Sequence, residues 1–383
     1  MTTDPYEKAQ SQPQRPRAAI PAPSATGIGS LPGQDMREAI RMVMGELGER
    51  PGLPFLPELP QRGVGADMVG RSTALLVDLY AEVQPSGWRI ADRPGRDHGR
   101  ARSHLSSDLD LLEEYTQGYV GPLKIQAVGP WTLAAVVELP YGDKLLADSG
   151  AVRDIAESLA EGLRLHLADV RKRVPGAQVI LQLDEPALPG VLRGSVPTAS
   201  GFGSLRAVDE NVMRELLRTV VEGVRFGDNA SGAASSTGAA SSTGAVSSTG
   251  TASGTPVIVH CCAPDVPFDT LRRAGVTGIS FDMALLNERH DEVLGELIES
   301  QVLLLAGIVP STDPASAAPG AMPSVKGLKD RVLALRRLGF PGPRIAGSVV
   351  VTPSCGLAGA SPGWARRALK LGRDTARALE ELD

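Results

Sequence analysis

Residues 257–265, "VIVHCCAPD", set two of the chain's three cysteines beside one of its five histidines. Imidazole and thiolate are the side chains that hold borderline-soft metal ions, and a thiolate is also a nucleophile. The apolar, β-branched residues before His260 predict a strand. Side chains of a strand alternate faces, so His260 and Cys262 share one face and Cys261 takes the other, as a small core hydrophobe. The third cysteine, Cys355, follows a second apolar run in "VVVTPSCGL", and Asp282 closes a third in "GISFDM". His260, Cys262, Asp282 and Cys355 thus form a nitrogen, sulfur and oxygen donor set of the kind Zn2+ takes in tetrahedral geometry. Asp282 suits a second role equally, as N-cap of the segment that follows it.

Such a site forms only if these runs end at one place. Eight β-rich runs are spaced along the chain: 25–30, 53–58, 123–129, 178–184, 256–261, 278–283, 302–308 and 344–352. Most are continuously apolar, as strands covered on both faces of a parallel sheet are. Between them lie stretches with helical spacing, among them "QDMREAIRMVMGELGER", "ADMVGRSTALLVDLYAEV" and "SGAVRDIAESLAEGLRLHLADVRKRV". The alternation predicts a (β/α)8 TIM barrel, with its chemistry at the C-terminal ends of the strands. A doubly wound sheet is the rival, but "GIGSLPG" lacks the G-x-G-x-x-G spacing of its phosphate-binding turn. Residues 1–24, polar and Pro-rich, read as a disordered tail, and 25–383 as one barrel. Within it, residues 227–255 carry an A-A-S-S-T-G repeat that reads as a flexible insertion.

The net charge of −5, from 44 acidic and 39 basic side chains, gives no pull toward nucleic acid or membrane. No apolar run reaches the length of a spanning helix, and the N-terminus has no secretory h-region. Three cysteines without an export signal point to a reducing cytoplasm, where thiols stay free.

In order along the chain, "IGSLPG", "ADMVGR", "VGPWTL", "LQLDEPAL", "HCC" and "TPSCGL" resemble the catalytic half of cobalamin-independent methionine synthase. The resemblance covers most of residues 25–383 outside the repeat. It implies zinc held by His260, Cys262 and Cys355, with Asp282 standing where the family has a Glu, one methylene longer. It implies an amino-acid pocket in which Ile28, Gly29 and Ser30 meet the homocysteine carboxylate and Asp184 meets its ammonium. Glu185 beside it would orient the loop. Val64 stands where the family has another Glu, and Glu58 is the nearest replacement.

The departures fall on the methyl-donor side. The family's His on the loop after strand seven is missing from "LLAGIVPSTDP", Trp131 directly follows Pro130, and Gly190 replaces a second carboxylate. A methylfolate loses its methyl from a tertiary amine that must first gain a proton, whereas a methyl-corrinoid, brought by a corrinoid protein, or a sulfonium needs none. The expected activity is therefore zinc-dependent S-methyl transfer to homocysteine, from a methylfolate or a methyl-corrinoid. The basic stretch "RPGRDHGRARSH" (93–104) reads as a loop that would meet a folate tail or another anion. Two other readings are a relative that captures a thiol without turnover, and a uroporphyrinogen decarboxylase-like barrel, whose chemistry has no use for a metal-binding Cys.

Overall fold

The computed structural model describes residues 20–230, 254–315 and 322–382. Its centre is a curled, seven-stranded parallel sheet: β1 (Ser24–Ala25), β4 (Gly121–Val128), β5 (Ala177–Asp184), β6 (Val257–His260), β7 (Gly278–Asp282), β8 (Leu303–Val309) and β9 (Val349–Pro353), in the order β1-β9-β8-β7-β6-β5-β4. A separate antiparallel hairpin pairs β2 (Tyr80–Gln84) with β3 (Gly87–Ala91). All seven residues of β8 and all five of β9 are buried, which is why their sequences are apolar on both faces.

The eighth expected strand, 53–58, does not join this sheet as a ladder. It runs between the two edge strands and touches each through single bridges: Ala25 with Gly52 on one side, Phe55 with Lys124 on the other. Its own sequence explains this. Prolines recur at 51, 54, 57 and 60, and each removes a backbone donor that a continuous ladder would use. The expected closed barrel of eight strands is accordingly a seven-stranded half-barrel whose gap is spanned by an irregular, extended segment. Glu58 N–H to Gly29 O at 3.1 Å and Leu56 N–H to Lys124 O at 3.0 Å hold that segment in place.

Helices pack on the outside of the sheet, and their ends follow the sequence. Asp35 caps Met36–Leu47 by accepting from Arg37 and Glu38 N–H; Asp148 caps Ser149–Arg173, which ends in Arg171, Lys172 and Arg173 at the negative end of its dipole. Ser361 caps Pro362–Glu380, with proline in the first turn where no donor is missed.

Other expectations are corrected. Helical spacing over "ADMVGRSTALLVDLYAEV" holds only for Met68–Thr73; the rest leads into β2, because a tight turn at Gly87, with φ of 129°, folds Tyr80–Gln84 back on Gly87–Ala91. Residues 344–346 belong to the short helix Gly342–Ala346, begun by Pro341 and Pro343, so the last strand starts at Val349. The basic stretch at 93–104 enters a helix, Arg96–Tyr115, whose inner face buries His98, Ala101 and Leu105. The tail expected to reach residue 24 packs from Ile20, which is fully buried against Leu53, Ile180, Ile258, Leu305 and Val350. The insertion expected at 227–255 begins later, since the helix Glu210–Ala230 covers its first residues; 231–253 lie outside the described residues. No helix among the described residues is long and apolar enough to cross a membrane.

Candidate metal and amino-acid site

Parallel pairing puts the C-terminal ends of the strands on one rim. Asp184 ends β5 directly beside His260, which ends β6, and Cys355 lies two residues past the end of β9. The ligand atoms of His260, Cys262 and Cys355 lie within 4.8 Å of one another. The two sulfurs are 3.3 Å apart. His260 is buried; its Nδ1 is 2.9 Å from Ser280 Oγ, and its Nε2 has no hydrogen-bond partner.

The electrostatics separate the three thiols. The contact with Cys262 and then the His260 ring beside it hold the Cys355 thiol down to about 4, which favours its thiolate form. Cys262 is pushed up, first by its bond to Cys355 and then by burial, and keeps the proton that the sulfurs share. Cys261 is fully buried on the opposite face, and burial pushes it up to about 12. This inert thiol is the bystander that strand alternation predicts.

The three donors fit a metal ion. An orphaned, buried imidazole nitrogen beside two sulfurs, one favouring its thiolate form, is a donor set for a borderline-soft cation. Ser280 fixes the ring of His260 from behind, as outer partners of metal-bound histidines do. Asp282 is not in the cluster: its Oδ1 accepts the Ala284 N–H at 2.8 Å and caps a short turn. Being one methylene shorter than Glu, its carboxylate is taken by the backbone directly after it. Its expected place as fourth ligand is replaced here by the capping role.

Next to the three donors is a cavity of about 270 Å³. Ile28, Gly29, Ser30, Glu58 and Asp184 line it together with His260, Cys262 and Cys355. Every site residue expected from the sequence except Asp282 thus faces one space. Gly356 closes it tightly, since a Cβ there would stand 2.1 Å from Ser30 Oγ. Burial raises Asp184 to about 7, with His260 and Lys124 opposing the rise; Glu58 is raised by burial and opposed by Arg71. Glu185 points away and accepts Trp131 N–H, Thr132 N–H and Thr132 Oγ1 at 2.7–3.0 Å, orienting the loop.

Several residues under the cavity carry no signal in the sequence. Lys124 is fully buried, its Nζ donating to Ile28 O at 2.7 Å, and burial lowers it to about 7. Arg71 is buried between Asp108, which also pairs with Arg62 at 2.7 Å, and Glu58, 3.7 Å away. A Lys inside an apolar run and an Arg in a helical stretch read as surface charges until the sheet curls round them.

The sequence matches no protein-family profile and no curated protein. Among solved structures, the chain is similar to a B12-independent methionine synthase from Shewanella sp. W3-18-1, in complex with selenomethionine. The TM-score is 0.54 and the identity 13%, over 94% of this chain and 98% of that one. D-psicose 3-epimerase from Clostridium cellulolyticum H10 aligns at a TM-score of 0.36 and 12% identity, over 72% and 86% of the two chains. At these identities the first likeness is one of fold, a TIM-barrel-like α/β architecture, and the second is too weak to carry an argument.

Proposed function

We propose that this chain is a zinc-dependent thiol S-methyltransferase that accepts homocysteine and yields methionine. The observation that carries the reading is the one cavity shared by a His-Cys-Cys donor cluster and the residues suited to an α-amino acid. His260, Cys262 and Cys355 would hold the ion. When bound, zinc deprotonates an incoming thiol at neutral pH while leaving its sulfur nucleophilic. The fold likeness to a methionine synthase supports the same reading.

The protein's own residues do the positioning. Ser30 and the backbone of Ile28 and Gly29 face the substrate carboxylate, and Asp184 takes the ammonium. With its carboxylate and ammonium both held at the α-carbon, the substrate presents its thiol to the donor in a positioned, effectively unimolecular encounter. The homocysteine sulfur forms the new S–C bond with its lone pair, and the leaving group departs with the electrons of the bond it loses.

The histidines bear on the donor. Of the five, only His260 lines the cavity. His98 and His166 face a separate cavity, His104 lies on the helix Arg96–Tyr115, and His290 bonds back to Asn287. No second imidazole is at hand to protonate a departing tertiary amine, which favours a methyl-corrinoid or a sulfonium over a methylfolate. Zinc content of the purified protein, followed by methionine formation from methylfolate, methylcobalamin and S-methylmethionine, tests this. Transfer from methylcobalamin or S-methylmethionine is the expected result. Bound metal without transfer from any donor would leave a thiol-capturing protein, and a metal-free protein would end the proposal.

A further inference from the structure

The interior of a barrel-like sheet is ordinarily filled by branched apolar side chains. Under this cavity it holds Lys124, Gln126 and Gln182 instead, all buried. Lys124 and Gln126 share one face of β4, and Gln182 lies below Asp184 on the same face of β5. The amide nitrogen of Gln182 donates both to Ile28 O, at 2.8 Å, and to Asp184 Oδ1, at 2.7 Å. Lys124 Nζ donates to the same Ile28 carbonyl at 2.7 Å and lies 5.2 Å from the centre of the Phe55 ring. On the other side, Gln126 Nε2 joins Leu56 O at 2.7 Å to Glu58 Oε1 at 3.1 Å.

We propose that Gln182 and Lys124 are positioning residues that fix the Ile28–Ser30 backbone relative to the Asp184 carboxylate, and so set how the cavity holds the carboxylate and ammonium of an α-amino acid. Recognition of the substrate's amino-acid end rests on the amino-thiol reading above; the anchoring itself does not. One amide nitrogen ties together the two groups that would grip the carboxylate and the ammonium on the α-carbon of an amino acid. The Ile28 carbonyl takes two donors and is thereby pinned from below. Burying an ammonium and two amides is costly, the more so because Gln182 Oε1 has no hydrogen-bond partner. A Met or Leu at either position would fill the space without that cost, so the polar layer points to positioning rather than to packing. A further contact of the pinned segment, Leu357 N–H to Ser30 O at 2.8 Å, connects it to the loop that carries Cys355.

The test uses the zinc-loaded full chain with Gln182→Met and, as a second variant of near-equal shape, Lys124→Met. Three readouts are taken: zinc per chain, amide hydrogen exchange of peptides spanning residues 26–33, and affinities for homocysteine and for 3-aminopropanethiol, which lacks the carboxylate. Both variants are expected to keep zinc and to exchange faster at residues 28–31. Homocysteine should bind about 10–100-fold more weakly, the range seen when outer partners of a site are removed, and 3-aminopropanethiol nearly as before. That selectivity is one a merely structural role would not produce. Unchanged exchange at 28–31 in both variants, or equal weakening of the two thiols, would overturn the proposal. Faster exchange in a protein whose wild type binds neither thiol would uphold the anchoring and retire the substrate reading.

Discussion

The sulfur atoms of Cys262 and Cys355, 93 positions apart in the chain, lie 3.3 Å from each other across the rim of the sheet. Two free thiols brought that close, with a buried imidazole whose Nε2 has no partner, make a donor set that could hold a cation. Cys262→Ala and Cys355→Ala are each expected to abolish stoichiometric zinc, read by elemental analysis of the purified protein. Cys261→Ala removes a fully buried thiol from the opposite face and should leave zinc at the wild-type level. Full occupancy in Cys355→Ala would show that the pair is not the metal centre.

Ser280 holds the ring of His260 from the far side, its Oγ 2.9 Å from Nδ1. With the proton on Nδ1, a ring so oriented would leave the Nε2 lone pair free to hold a metal ion. Ser280→Ala should weaken zinc binding by about 10–100-fold without removing a ligand. Competition with a chelator of known affinity would measure it. An unchanged zinc affinity would mean that packing alone orients the ring.

Much of the site was legible because its carriers sit at the ends of continuous apolar runs. β4, β5, β6, β7 and β8 fall within two residues of the runs that predict them, and the C-terminal residues of β5 and β6 bring Asp184 and His260 together. Alternation alone separates Cys262 from Cys261. What stayed hidden depends on groups distant in sequence. The proline spacing of 51–60 forbids a ladder, yet whether that segment leaves the sheet or bridges its edges is decided by β1 and β4. Lys124 and Arg71 become interior charges only because Glu58, Asp108 and Asp184 arrive from other elements. The hairpin of β2 and β3 was hidden inside a stretch whose apolar spacing also fits a helix. Asp282 shows the opposite case, in which two roles were readable from sequence and the nearer partner, the backbone of Ala284, is the one the structure gives it.

Gly356 gives a test of the cavity that leaves the metal ligands in place. A Cβ at this position would lie 2.1 Å from Ser30 Oγ, and Ser30 would have to move. Gly356→Ala is expected to retain zinc, because no ligand is altered, and to weaken homocysteine binding by about tenfold or more, since misplaced positioning groups are costly well beyond their size. Calorimetric titration of the zinc-loaded variant reads the difference. Unaltered homocysteine affinity would argue that Ser30 does not touch the substrate.

His166, buried on the helix Ser149–Arg173, contributes to the acid limb of stability. Burial, reinforced by Arg71 and opposed by Asp169, lowers its imidazole to about 4 from 6.5. Between those values the unfolded chain binds the proton and the folded chain does not. Stability is therefore complete above pH 6.5 and falls as the pH drops toward 4, where the imidazole must charge inside the fold. At pH 5 the loss from this one group is about 2 kcal/mol, from roughly 1.4 kcal/mol per pH unit of the gap. Urea unfolding at pH 7.5 and pH 5 should show His166→Leu losing less stability on acidification than the wild type, by about that amount. Equal losses in the two proteins would show that His166 is protonated in the native state or that its surroundings already accommodate the charge.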